Sequence, residues 1–190
     1  MNLKRYSKQG LWSLFLVCAF PLHFWTLTLS IGDMSWAVQR TNLWDAIGLV
    51  SYGLIYALAE CIIIFCIVTL IGFIVPQHWN VDKRIALLSL LFLLTSLWAI
   101  IAQLFFLWNV SLPIPLLKFL SQSDHPLRMV YVGICVVVFP SILLPLILFM
   151  KSSKAVSFMK DVIERLSLLS MFYLFLDLIG LTIVLIRNFA

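Results

Sequence analysis

The stretch that decides the fold is Ala46–Val75, AIGLVSYGLIYALAECIIIFCIVTLIGFIV, 30 residues with one charged side chain, Glu60. A helix needs about 20 apolar residues to cross roughly 30 Å of hydrocarbon. A barrel strand would instead alternate polar and apolar positions over about 10 residues. This run is too long for a strand and does not alternate. It reads as a membrane-crossing helix of about 45 Å that must tilt, kink or project into the headgroups.

Working outward, the same pattern recurs at Leu11–Ile31, Ile85–Trp108 and Val130–Met150, and a fifth run, Leu166–Ile186, carries one acid, Asp177. Gly32-Asp33, Pro76, Val81-Asp82-Lys83-Arg84, Pro113 with Pro115, and Lys151 punctuate these runs. The fold class is therefore all-α: a polytopic integral membrane protein, a five-transmembrane-helix bundle with spans at 11–31, 46–75, 85–108, 130–150 and 166–186. No repeat, linker or low-complexity tract divides the chain, so residues 1–190 read as a single transmembrane domain.

Composition agrees. Of 190 residues 63% are hydrophobic and 11% charged, against about 45–50% and about 25% in ordinary soluble domains. This excludes a soluble globular domain, a disordered chain and a disulfide-stapled secreted module. The first run spans 21 residues, longer than the roughly 7–15 of a signal-peptide core, so it reads as a span and not as a cleaved leader.

Orientation follows from the basic residues near the span ends. With the N-terminus inside, Lys4, Arg5, Lys8, Lys83, Arg84, Lys151, Lys154, Lys160 and Arg165 lie inside, and Arg40, Lys118, Arg128 and Arg187 outside, 9 against 4. The expected topology is N-in/C-out in the inner (plasma) membrane, multi-pass. The net charge of +5 then reflects insertion and an anionic inner leaflet, with no nucleic-acid partner implied. Trp12 and Trp79 fall at the inner interface and Trp36, Trp44 and Trp108 at the outer one, the depth that indole prefers. Trp25 and Trp98 fall within spans, where packing between helices is expected.

Between the third and fourth spans, a short interfacial helix is expected to start near Pro113 or Pro115. The segment Lys151–Arg165 places Val156, Met159, Ile163 and Leu166 on one helical face, which suits either an interfacial start to the last helix or a solvated connector. Cys18, Cys61, Cys66 and Cys135 all lie within spans and form no CxxC, so they read as small hydrophobes.

The informative residues are the ionisable ones inside spans: His23, Glu60 and Asp177. At about 1.5 Å per residue they lie about 18, 22 and 17 Å from the inner ends of their runs, within about 6 Å of one level. Gln103 lies farther out, at about 27 Å. Each sits on a stripe of small or polar residues at helical spacing: Ala19, His23, Thr26, Ser30; Gly53, Tyr56, Ala57, Glu60; Ser96, Ala99, Gln103; Ser170, Tyr173, Asp177, Gly180. Such stripes mark helix–helix contacts in lipid, so the four faces are expected to turn inward together. The candidate ligand or proton site is His23, Glu60 and Asp177, with Tyr56, Tyr173 and Gln103 around them.

Two functions fit. One is small-ligand or proton binding and translocation through this midplane cluster; burial disfavours the charged form of an acid, and a neighbouring imidazolium opposes that. The alternative is a non-catalytic membrane subunit that assembles with a partner membrane protein or with itself. An enzyme is not indicated. There is no Gly-x-Ser-Gly nucleophile of a rhomboid-like protease and no Asp cluster of a CDP-alcohol phosphatidyltransferase. A membrane haem would want facing His pairs, and only His23 is within a span. No cofactor or metal is expected; His78 and His125 fall on opposite sides, and no HExxH occurs. Asp124-His125 beside Pro126 reads as a turn. The topology is open to direct test: a reporter fused after Phe189 should read external and one within 151–160 cytoplasmic, and the reverse pattern would sink the charge argument.

Overall fold

The computed structural model describes residues 6–76 and 79–189. Lys4 and Arg5 of the charge argument, and His78 of the zinc argument, lie outside the described residues. Six helices follow in order: α1 Lys8–Arg40, α2 Leu43–Ile71, α3 Val81–Leu107, α4 Ile114–Ser121, α5 Pro126–Lys151 and α6 Ser153–Phe189. All but the eight-residue α4 are long and apolar enough to cross a membrane. No strand occurs among the described residues. The helical bundle with five candidate membrane-spanning helices is thus present, and α4 starts at the expected prolines.

The helices begin and end for local reasons. Ser7 Oγ accepts from Gly10 N at 2.9 Å and Asn42 Oδ1 from Asp45 N at 2.8 Å, filling donors left free at a helix start. Asn109, at φ 48°, closes α3. Val110 N donates to Phe105 O and Asn109 N to Phe106 O, a Schellman ending in which Asn takes the left-handed position.

The helix ends differ from the hydropathy boundaries. Gly32-Asp33 does not stop α1, which continues through Trp36 to Arg40. α2 stops at Ile71, short of Val75, with Gly72 as its cap. The reason is that a hydropathy boundary marks where hydrocarbon would end, whereas backbone hydrogen bonding continues until a cap or proline ends it. The segment 151–165 is likewise no loose connector. Lys151 ends α5, and from Ser153 on the segment is the first part of α6, with Met159 and Ile163 on its apolar face buried in the core.

α1 is the central element, flanked by α2, α3 and α6. The core gathers around its N-terminal half: Leu14, Val17, Cys18 and Ala19 meet Cys61 and Val68 of α2, Ile85 and Leu88 of α3, and Met159 and Ile163 of α6. α5 buries only Phe149 and holds to α3 through Trp98 Nε1, which donates to Ser141 Oγ at 2.8 Å. The accessible surface is 12878 Å², where a compact soluble monomer of this mass would expose about 9,300 Å². Much of the excess is apolar side chain turned outward, as an apolar solvent or a partner requires.

Small residues set the close approaches among α1, α2 and α6. A Cβ on Gly53 would lie 2.9 Å from Ser30 Oγ, and one on Gly180 would lie 3.3 Å from the backbone oxygen of Ser51. At the far end Arg187 Nη2 meets Asp45 Oδ1 at 2.8 Å and Nη1 donates to Trp44 O at 2.7 Å. Gly48 leaves room for that guanidinium. Because the atom facing Gly180 is backbone and cannot rotate away, Gly180→Leu should force α6 off α2. The expected loss is about 1–3 kcal/mol, read as a lower thermal unfolding midpoint in detergent; an unchanged midpoint would mean that α2 and α6 do not pack here.

Candidate functional site

The site is built where α1 and α6 run parallel. Ser170 Oγ donates to Leu16 O at 2.6 Å, and seven residues along both helices His23 meets Asp177. Both contacts span the same sequence separation, 154 residues, so the two helices share one register over a heptad. Seven residues are about two turns, which returns the side chains to the same seam.

His23 is fully buried and Asp177 is 4% exposed. The ring is oriented from its own helix: Nδ1 lies 2.8 Å from Ala19 O, one turn back. A carbonyl oxygen only accepts, so Nδ1 carries a hydrogen. That leaves Nε2 facing the carboxyl group, 2.9 Å from Oδ2 and 3.2 Å from Oδ1 of Asp177. A hydrogen bond between Nε2 and the carboxyl group then needs one further proton. On Nε2 it makes an imidazolium beside a carboxylate; on Asp177 it makes a neutral ring beside a neutral acid. Either placement gives a pair with zero net charge, the form in which two ionisable groups can stay buried in apolar surroundings. Tyr173, one turn before Asp177, lays its ring nearly parallel to the imidazole, with centroids 6.0 Å apart, and Phe20 packs on Tyr173 at 6.1 Å.

The structure therefore brings together His23, Asp177 and Tyr173 of the six candidate residues, and it leaves the other three apart. Glu60 is exposed on the outer surface of α2, and Tyr56, one turn away, is 70% exposed. This corrects the expectation that the stripe Gly53, Tyr56, Ala57, Glu60 turns inward. The packed seam of α2 is Ser51, Leu54, Ala57, Cys61 and Val68, where small side chains allow close approach to α1 and α6. Glu60 precedes buried Cys61 by one residue, about 100° around the helix. Gln103 is also exposed and accepts a hydrogen bond from Trp25 Nε1, tying α3 to α1 away from the pair.

His23 and Asp177 present almost no accessible surface. One hollow lies between α3, α5 and α6, lined by Leu90, Pro145, Phe149 and Met159, and another lies at Asp124–Arg128. Neither includes His23, Tyr173 or Asp177. Among the described residues no three His, Cys, Asp or Glu side chains converge as a metal site. The arrangement can hold a proton between two fixed partners and join two helices.

Some contacts were not anticipated from sequence. Arg84, counted among the inner cations, is 1% exposed, and its Nη2 donates to Pro76 O at 2.9 Å. No pattern in the sequence separates it from half-buried Lys83. Asp45 with Arg187 was discoverable, since both flank outer span ends and carry opposite charge. Compared with protein-family models, curated protein sequences and solved structures, the chain finds no match.

Asp177→Ala should leave a buried ring nitrogen without its partner, at a cost of about 3–5 kcal/mol. Asp177→Asn should cost distinctly less, because the amide can donate to Nε2 of a neutral ring. The double change His23→Leu with Asp177→Leu should be milder than Asp177→Ala, since it removes both polar groups at similar volume. Thermal unfolding in one detergent ranks the three; equal losses for Asn and Ala would mean that the contact carries no hydrogen bond.

Proposed function

We propose that the protein is a non-catalytic integral membrane subunit that works through lateral helix–helix contacts. It sits in the inner (plasma) membrane, with the N-terminus cytoplasmic and the C-terminus outside, an orientation supported by the excess of basic residues at the inner span ends. The observation that carries this reading is the contrast between two polar groups of similar expected depth. His23–Asp177 is enclosed and its atoms are partnered within the chain. Glu60 is turned to the outside of the bundle with no hydrogen bond or ion pair to a described residue. An acid facing hydrocarbon costs about 2.5–3.5 kcal/mol on insertion scales. A neighbouring helix that supplies a hydrogen-bond partner removes much of that cost.

Binding or passage of protons at His23 and Asp177, with Tyr173 alongside, is the second reading. It is supported by the direct contact of a ring nitrogen with a carboxyl group. It requires an opening to water, and the enclosure of the pair favours the first reading.

Purification from native membrane in mild detergent discriminates them. The subunit reading expects the full-length chain to elute as a stoichiometric assembly, with Glu60→Leu dissociating it and Asp177→Asn leaving it intact. Elution as a lone chain, together with proton uptake in liposomes that Asp177→Asn abolishes, would replace it by the second reading.

A further inference from the structure

The exposed face of α2 has a repeat that the packing of the described chain does not use. Leu49, Tyr56, Ile63 and Leu70 recur every seventh residue, and all are exposed, Tyr56 and Leu70 by 70% and 65%. Glu60 and Ile67 fall between them at four-residue steps from Tyr56 and Ile63. Side chains at steps of seven with intervening steps of four form one seam along a helix, the geometry by which two helices pack at a shallow angle. The seam has a single ionisable group near its middle. A lone polar residue at such a position fixes register between paired helices.

We propose that this seam, Leu49–Tyr56–Glu60–Ile63–Ile67–Leu70, docks on the same seam of a second copy of the chain, with Glu60 meeting Glu60 at a two-fold axis along the membrane normal. The inference rests on the lateral-assembly reading and names its partner. Three physical arguments favour a second copy. Copies inserted with the same topology run α2 parallel and place Glu60 at the same depth in each. An isologous contact then sets each residue against its own counterpart or near neighbours. A carboxyl group is its own complement when it carries its proton, because each O–H donates to the other's carbonyl oxygen, so two groups that are each costly in hydrocarbon satisfy one another. A head-to-tail contact between copies would need a donor at mid-depth on another face. The cations in the described residues lie instead outside the apolar runs 11–31, 46–75, 85–108, 130–150 and 166–186: Lys83 and Arg84 at the start of α3, Lys151 at the end of α5, Lys160 and Arg165 before the last run and Arg187 after it. Tyr56 adds a phenol to the seam one turn from Glu60.

The test uses full-length chain labelled with donor or acceptor dye, reconstituted in liposomes and diluted with lipid, with energy transfer as the readout. Wild type should transfer energy in a concentration-dependent way. Glu60→Leu should raise the dissociation constant at least about tenfold, the effect of losing about 1.4 kcal/mol of interhelical hydrogen bonding. Glu60→Gln should pair nearly as well as wild type, since an amide both donates and accepts. Phe175→Ala, on the outward surface of α6, should change nothing. Because Glu60 touches no described polar partner, Glu60→Leu should keep the wild-type unfolding midpoint when both are diluted in detergent until wild type is monomeric. Pairing by Glu60→Leu equal to wild type, or no transfer by wild type, overturns the proposal. Loss of pairing in Glu60→Gln equal to that in Glu60→Leu also overturns it, because Glu60 would then meet a cation. A wild type that is monomeric in liposomes yet retains a different membrane protein through Glu60 defeats the second copy and leaves the subunit reading standing. Lone elution from native membrane as well defeats both.

Discussion

An imidazole and a carboxyl group buried in so apolar a bundle are tolerable only together. His23 and Asp177 lie 2.9 Å apart, with exposures of 0% and 4%. With one proton shared between them the pair carries zero net charge, the form in which two ionisable groups can be enclosed together. This contact also fixes how α1 and α6 sit. With Ser170 on Leu16 one heptad below, it sets a parallel register in which Ala19, Ala57 and Gly180 can bring α1, α2 and α6 close. A slip by one residue would rotate His23 and Asp177 about 100° in turn, exposing one group and orphaning the other. The remaining packing, with Leu14 and Val17 against Ile85, Leu88 and Ile163, follows from that placement.

Much of this was legible in the sequence, for a physical reason. Ionisable groups are rare in hydrocarbon, so the few present must be explained, and counting residues along a helix measures their depth. Depth placed His23, Glu60 and Asp177 at one level, and Asp177 is the acid that meets His23. Depth carries no information about azimuth, and there the argument failed for Glu60. The stripe on α2 mixed small residues with polar ones, and the two sets point different ways: Ala57 turns into the seam, Glu60 and Tyr56 away from it. In α6 the small residues Ser170 and Gly180 lie on the same face as Asp177, so the stripe held. Arg84 escaped notice because hydropathy treats every inner cation alike.

The two polar features divide the molecule's tasks. The enclosed pair organises the chain within itself. The outward acid addresses whatever lies beside it. The described segments between the helices are short. The proposal of lateral assembly rests on where the polar groups lie, and the enclosure of His23–Asp177 is the claim on which the choice against a ligand or proton pathway turns.

The measurement that tests that enclosure most directly is deuterium exchange of the histidine ring protons, followed by solid-state nuclear magnetic resonance of the labelled protein in bilayers. His125, exposed at the start of α5, provides the fast reference within the same molecule, and a His23→Ala sample assigns the signal. The account predicts that the His23 Nδ1–H signal persists long after the His125 signal has exchanged, because water does not reach a ring held between Ala19, Tyr173 and Asp177. Exchange at His23 as fast as at His125 would contradict it, by placing the pair in contact with water and restoring the cluster as a site for protons or small ligands.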